Sequence, residues 1–167
     1  MASADFVMYE EEFNRIKAVL AQLRLDANAK MVFLIDRNGQ QIASQGDTDL
    51  IDQTSLASLT AGNVAATDGL ARIIGEKEFN GIFHEGKQES IHISLCGERM
   101  ILVVVFDQRS SLGLVRLRVK KATDEFNAIF DALLKKTEKE REALTAADFE
   151  SPFAEITDED IDSLFSE

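Results

Sequence analysis

The sequence predicts an α+β fold in which a five-stranded antiparallel sheet is covered by helices, in the chain order α-β-β-α-β-β-β-α. Three observations carry this expectation. Apolar residues recur at helical spacing in three long segments, five short segments read as strands, and tight-turn residues join strands in pairs, which makes the paired strands antiparallel. At 167 residues and 45% hydrophobic content the chain is long enough to bury one core, so one folded domain is expected.

The first helix runs from about Tyr9 to Leu25, with Phe13, Ile16, Leu20 and Leu23 on one face and Glu12, Arg15 and Arg24 expected in water. Met31 to Asp36 reads as a buried strand. Asn38-Gly39 then marks a hairpin, because both residue types tolerate the positive φ of a tight turn, and the return strand spans Gln41 to Gln45 before Gly46. From about Asp52 to Ile74 the period is helical again, with Leu56, Leu59, Ala66, Leu70 and Ile73 as the large-residue stripe and Gly75 as the stop. A short strand is expected within Phe79 to Glu85, and a second hairpin pairs Ile91 to Leu95 with Arg99 to Asp107. After Ser110 and Ser111, either of which could cap, Leu114, Leu117, Phe126, Ile129, Phe130 and Leu133 continue a helix to about Lys136.

The charge is unevenly placed. Residues 138–167 hold eleven acidic and two basic residues of a chain whose net charge is −12, so residues 1–137 keep 19 acidic against 16 basic. The expected organisation is therefore a folded domain over 1–137, a charged flexible linker over 138–150 and a C-terminal tail over 151–167; Pro152, the chain's one proline, lies in that tail. The acidic balance argues against nucleic acid as a partner, since phosphate binding needs a concentrated basic surface. No run approaches the roughly 20 apolar residues of a membrane span, and the N-terminus lacks a basic and then apolar leader, so a cytoplasmic protein is expected.

Catalytic constellations are scarce. His84 and His92 lack the spacing of metal ligands and read as structural or surface histidines. There is no G-x-x-x-x-G-K-[ST] phosphate loop, so the chain is not itself a P-loop GTPase. Cys96 sits in an alternating strand without a basic cluster beside it and reads as a core thiol. No metal or cofactor is expected.

Three features point toward partners. On the central helix, at about 100° per residue, Ser58, Gly62, Ala65 and Gly69 form a small-residue stripe turned roughly 120° from the large one. Such a stripe reads either as packing against the protein's own sheet, the commoner arrangement from periodicity alone, or as a binding face. Two glycines inside a helix destabilise it by about 0.5–1 kcal/mol each relative to alanine, which a binding face would explain. Secondly, Arg109 to Lys121 carries five basic residues and no acidic one, either a solvated face or a docking patch for an acidic partner or for the tail. Thirdly, Thr157 is a candidate N-cap, with Ile156 and Ile161 at the hydrophobic-staple positions; Ile161, Leu164 and Phe165 then make one apolar face on a helix too short to be stable alone. Folding into a partner's groove reconciles the staple with the shortness.

The segments VMYEEEF (Val7 to Phe13), DANAK (Asp26 to Lys30), TSLASLTAGNVAA (Thr54 to Ala66), FHEG (Phe83 to Gly86), SLGLVRLR (Ser111 to Arg118) and SPFAEITDEDIDSLFSE (Ser151 to Glu167) resemble bacterial Roadblock-family regulators of Ras-like polarity GTPases. The resemblance covers the chain apart from its first residues and Glu138 to Glu150. It implies a Roadblock-type sheet with helices on both faces, and a homodimer that extends the sheet across the two-fold and pairs the central helices. It also implies that the chain is not an enzyme but binds a small GTPase of the MglA type and accelerates GTP hydrolysis without an arginine finger, so that Arg109 is the candidate to exclude. Ser58, Gly62, Ala65, Ala66 and Gly69 would then be the GTPase-binding residues. Phe153, Ile156, Ile161, Leu164 and Phe165 would form a tail that promotes nucleotide exchange. A second, acidic regulatory partner would meet a basic patch of Arg15, Arg116 and Lys121. Regulation of cell polarity and motility, with enrichment at a cell pole, is implied as well. The rival readings are a Roadblock-like scaffold, comparable with dynein light chains, and a small-ligand sensor; the small stripe and the stapled tail favour a protein partner over both.

Overall fold

The protein is described by a computed structural model over residues 8–149 and 163–165. Its elements are α1 (Glu10–Asp26), β1 (Met31–Asp36), β2 (Gln41–Gly46), α2 (Gln53–Ile74), β3 (Ile82–Glu85), β4 (Glu89–Cys96), β5 (Met100–Asp107) and α3 (Leu112–Phe149). The strands form one five-stranded sheet in the order β2-β1-β5-β4-β3, and every pairing is antiparallel. Both expected hairpins are present, and β5 closes the sheet by pairing with β1 as well as β4. The tail residues Phe153, Ile156 and Ile161, expected to act in nucleotide exchange, lie outside the described residues.

The first hairpin is longer than the Asn-Gly pair suggested. Only Gly39 has a positive φ, +88°. The Asp36 carboxylate accepts the backbone N–H groups of Asn38 and Gln40, both at 2.9 Å, and the pairing register shifts between Leu34 and Ile35. A carboxylate at the start of a turn can satisfy two donors that a two-residue turn would have placed in the ladder.

Alternation along the central strands builds two apolar layers. Met31, Phe33, Ile35, Ile93, Ile101, Val103 and Val105 meet Ala57, Ala61 and Val64 of α2 on one face. Val32, Leu34, Leu102, Val104 and Phe106 point to the other, where α1 buries Ile16, Leu20 and Leu23 and α3 buries Val115, Val119, Ala122 and Phe126. The Cys96 thiol meets the Thr123 side chain of α3 in this second layer; burial pushes its pKa up to about 12, so it stays a thiol.

Helix ends follow their local chemistry. Asp52 caps α2 by accepting from the Ser55 amide at 3.1 Å and the Ser55 hydroxyl at 2.6 Å, and Gly75 ends the helix at φ +83°. At α3 it is Ser111 that caps, accepting from the Leu114 amide at 3.2 Å, while the Ser110 hydroxyl donates to the Ala27 carbonyl.

Two expectations are corrected. Glu12 is buried rather than solvated, and α3 runs to Phe149 rather than ending at about Lys136. On α2, whose facing the pattern left open, Leu59, Leu70 and Ile73 are exposed, and the buried stripe is Ala57, Thr60, Ala61, Val64 and Ala71. Met8–Phe130 forms one compact unit that holds the sheet, and Asp131 onward belongs to a second.

Candidate protein-binding surface

The close approach of α2 to the sheet depends on small residues on both sides. At Gly39 a Cβ would stand 3.2 Å from the Ser58 Cα and 3.6 Å from the Ala57 carbonyl oxygen, so the β1–β2 turn rests on the backbone of α2. With Ala57, Ala61 and Val64 turned inward over Phe33, Ile35, Ile101 and Val103, the opposite side of the helix is left to water.

That outer side is unusual for a solvated helix. It carries Ser58, Leu59, Gly62, Ala65, Ala66, Gly69, Leu70 and Ile73, and Asp68 and Arg72 are the only charged residues among the twenty-two of α2. Leu59 is 74% exposed and Ile73 81%. Around Gly62 and Gly69 a Cβ would meet nothing within 4 Å, so neither glycine is required by contacts within the described residues. The reading of the small stripe as packing against its own sheet is therefore overturned. The small and large stripes adjoin and form one outward face on which Arg72 is the one exposed charge, a face that a monomer in water has no reason to keep.

Polar contacts border it. Arg37 of the first hairpin pairs with Asp68 at 2.9 Å, taking that carboxylate out of play. On the β3 side, the Asn63 amide lies 2.8 Å from His84 Nε2.

Arg109, in the turn before α3, is held by Asp107: Nε and Nη2 donate to the carboxylate at 2.9–3.2 Å. The guanidinium keeps the Asp107 carboxyl below its ordinary range, and Asp107 in turn raises Arg109. Arg15, Arg116 and Lys121 are all exposed, on the two helices that cover the sheet face away from α2. Of the tail residues, Leu164 and Phe165 are exposed and lie in a helical turn over 163–165. Among the described residues no three His, Cys, Asp or Glu side chains come together as a metal-binding group, and no helix is long and apolar enough to cross a membrane.

Periodicity left open which stripe of α2 faces the sheet. The signal that bears on it is the scarcity of charge: a surface helix normally keeps one charged face, and α2 carries only Asp68 and Arg72.

The Roadblock/LC7 domain family matches residues 15–106. Among solved structures, Myxococcus xanthus MglB is 62% identical, with a TM-score of 0.72, covering 76% of this chain and 96% of that one. The gliding protein MglB of Thermus thermophilus is 32% identical with a TM-score of 0.69, over 77% of this chain and 97% of that one. An MglB in a tetrameric arrangement is 30% identical with a TM-score of 0.71, over 79% of this chain and 99% of that one.

Proposed function

The chain belongs to the Roadblock/LC7 family, and on that premise we propose that it is a GTPase-activating protein for a Ras-like small GTPase of the MglA type, acting as a homodimer. The observation that carries the proposal is the uncovered outer face of α2, apolar apart from small polar residues and Arg72. Covering Leu59, Leu70 and Ile73 would contribute about 1.5–3 kcal/mol each before ordering and association costs, a driving force for covering this face. Two α2 helices side by side, with the sheet continued through the short edge strand β3, would present Ser58, Gly62, Ala65, Ala66 and Gly69 as a platform on which a GTPase backbone can lie closely. The tetrameric arrangement of one MglB relative supports self-association in this family.

Acceleration would come from holding the GTPase with its own residues aligned. An arginine finger must be free to reach the transferred phosphoryl group, and Arg109 is already engaged by Asp107. The chain thus acts as a regulator and not as an enzyme. The tail, through Phe153, Ile156, Ile161, Leu164 and Phe165, would promote nucleotide exchange from a separate groove on the GTPase; the exposure of Leu164 and Phe165 supports that part. A role in polarity and motility draws on the gliding relative.

The test mixes the purified protein with its cognate GTPase and follows single-turnover GTP hydrolysis and GDP release. Ala65→Arg and Gly69→Arg should abolish stimulated hydrolysis while the protein stays folded. A chain ending at Glu150, or Leu164→Ala with Phe165→Ala, should slow release to its intrinsic rate and leave hydrolysis stimulated. Normal hydrolysis with folded Ala65→Arg would remove α2 from the active interface, and loss of hydrolysis on tail removal would undo the division of labour.

A further inference from the structure

On the sheet face away from α2, β3, β4 and the first turns of α3 enclose an open groove of about 670 Å³. His92 and Ser94, two residues apart on β4, line it and are 5% and 6% exposed. Phe79, Phe83 and Val119 supply apolar lining, and Arg116 and Lys120 of α3 supply positive charge.

Two features of this groove are unexplained by packing. His92 Nδ1 and Ser94 Oγ are buried with no hydrogen-bond partner among the described residues. A buried polar atom without a partner destabilises the fold, and an apolar residue would fill either position at no such penalty. Nor is Arg116 or Lys120 in an ion pair with any described residue, and Asp124 is the groove's one acidic side chain against these two cations. Buried polar atoms without partners and a net positive charge, two cations against Asp124, therefore meet in one concave place.

We propose that this groove binds a small organic oxyanion, a carboxylate or phosphate carried on an apolar body. The oxyanion pairs with the Arg116 and Lys120 cations, and a small rotation of each side chain brings the Ser94 hydroxyl and the His92 Nδ1–H, closed to solvent here, onto it; the apolar body lies along Phe79, Phe83 and Val119. The volume is in the range of small-molecule sites and is far more than a bare ion needs. Electrostatics favour an anion over a neutral ligand, because a charged acceptor strengthens each of these hydrogen bonds. The site lies within Met8–Phe130 and does not depend on GTPase binding, although its β3 wall is the edge through which the proposed homodimer continues the sheet.

The experiment is calorimetric titration of the full chain with phenyl phosphate, 3-phenylpropionate and inorganic phosphate. One of the two aromatic anions is expected to bind saturably, at least about tenfold tighter than inorganic phosphate, and the tighter of the pair identifies the head group. Arg116→Gln should weaken it by about tenfold, whereas Lys87→Gln, an exposed cation outside the groove, should leave it unchanged. Ser94→Ala keeps the variant set folded by removing an unpaired buried hydroxyl; it should melt above the parent protein and yet bind several-fold more weakly. Absence of saturable binding up to roughly 10 mM, equal loss in the Arg116 and Lys87 variants, or unchanged binding by Ser94→Ala would each overturn the site.

Discussion

Gly39 and His92 carry more structural consequence than their neighbours. A side chain at Gly39 would meet both a φ of +88° and the Ser58 Cα at 3.2 Å, so strain and overlap act together. Gly39→Ala should therefore lower the free energy of unfolding by about 1–3 kcal/mol, read as a reduced urea midpoint with an unchanged slope. An unshifted midpoint would mean that the turn relaxes away from α2. His92 is held neutral chiefly by burial, and secondly by the Arg116 charge, which place its pKa below the ordinary 6.5. A base with a depressed folded pKa takes up more protons when unfolded. Its stability contribution is then complete above about pH 6.5 and is lost as the pH falls from there through the folded value. Comparing denaturation at pH 8 and pH 5.5, the parent should lose more stability than His92→Gln; equal losses would place the titration elsewhere.

Among the elements, α2 and α3 depart furthest from their sequence patterns. In α2, replacement of Ala65 or Gly69 by arginine adds a side chain only to the outer face, so the melting temperature of the body should hold within a few degrees. That separates the binding defect proposed above from unfolding. A binding role for this face would explain why a helix of twenty-two residues keeps two interior glycines with open space around them. For α1 and α3 the basic residues Arg15, Arg116 and Lys121 are exposed on the sheet face opposite α2. Charge reversal at all three should leave stimulated GTP hydrolysis nearly unchanged, while weakening capture of any acidic protein that docks there, by pull-down at low salt. A matching loss of GTPase binding would assign the patch to the α2 interface instead. The extension of α3 past Lys136 has a local cause: residues 138–147 are mostly good helix formers, Glu, Lys, Arg, Ala and Leu, with no glycine or proline to stop the helix.

At the scale of the molecule, the sheet and both of its apolar layers fall within Met8–Phe130. Residues 138–147 are exposed throughout, so a chain ending at Thr137 removes no buried side chain from that stretch. We expect residues 1–137 to fold and to form the homodimer, checked by sedimentation equilibrium against the full chain. A folded monomer would sink the paired-helix platform, since the dimer and the GTPase surface are proposed to share α2.

Chemistry confined to neighbouring residues was legible without the fold. The order of helices and strands, the hairpin partners, the Gly75 stop, the cap before α3 and the core setting of Cys96 each depend on a few adjacent residues: an αL glycine, a serine hydroxyl, an alternation of period two. The facing of α2 was not, because its buried stripe and its exposed stripe both repeat at helical spacing, and periodicity cannot rank them. What decided it was space. The sheet layer is already filled by Phe33, Ile35, Ile101 and Val103, and the Gly39 turn touches the helix backbone, so only the side bearing Ala57, Ala61 and Val64 can lie that close. Leu59 and Leu70 are thereby turned outward. The groove at His92 and Ser94 belongs to the same class of fact: its cations come from α3 and its unpaired atoms from β4, and only the packing of one against the other makes them a site.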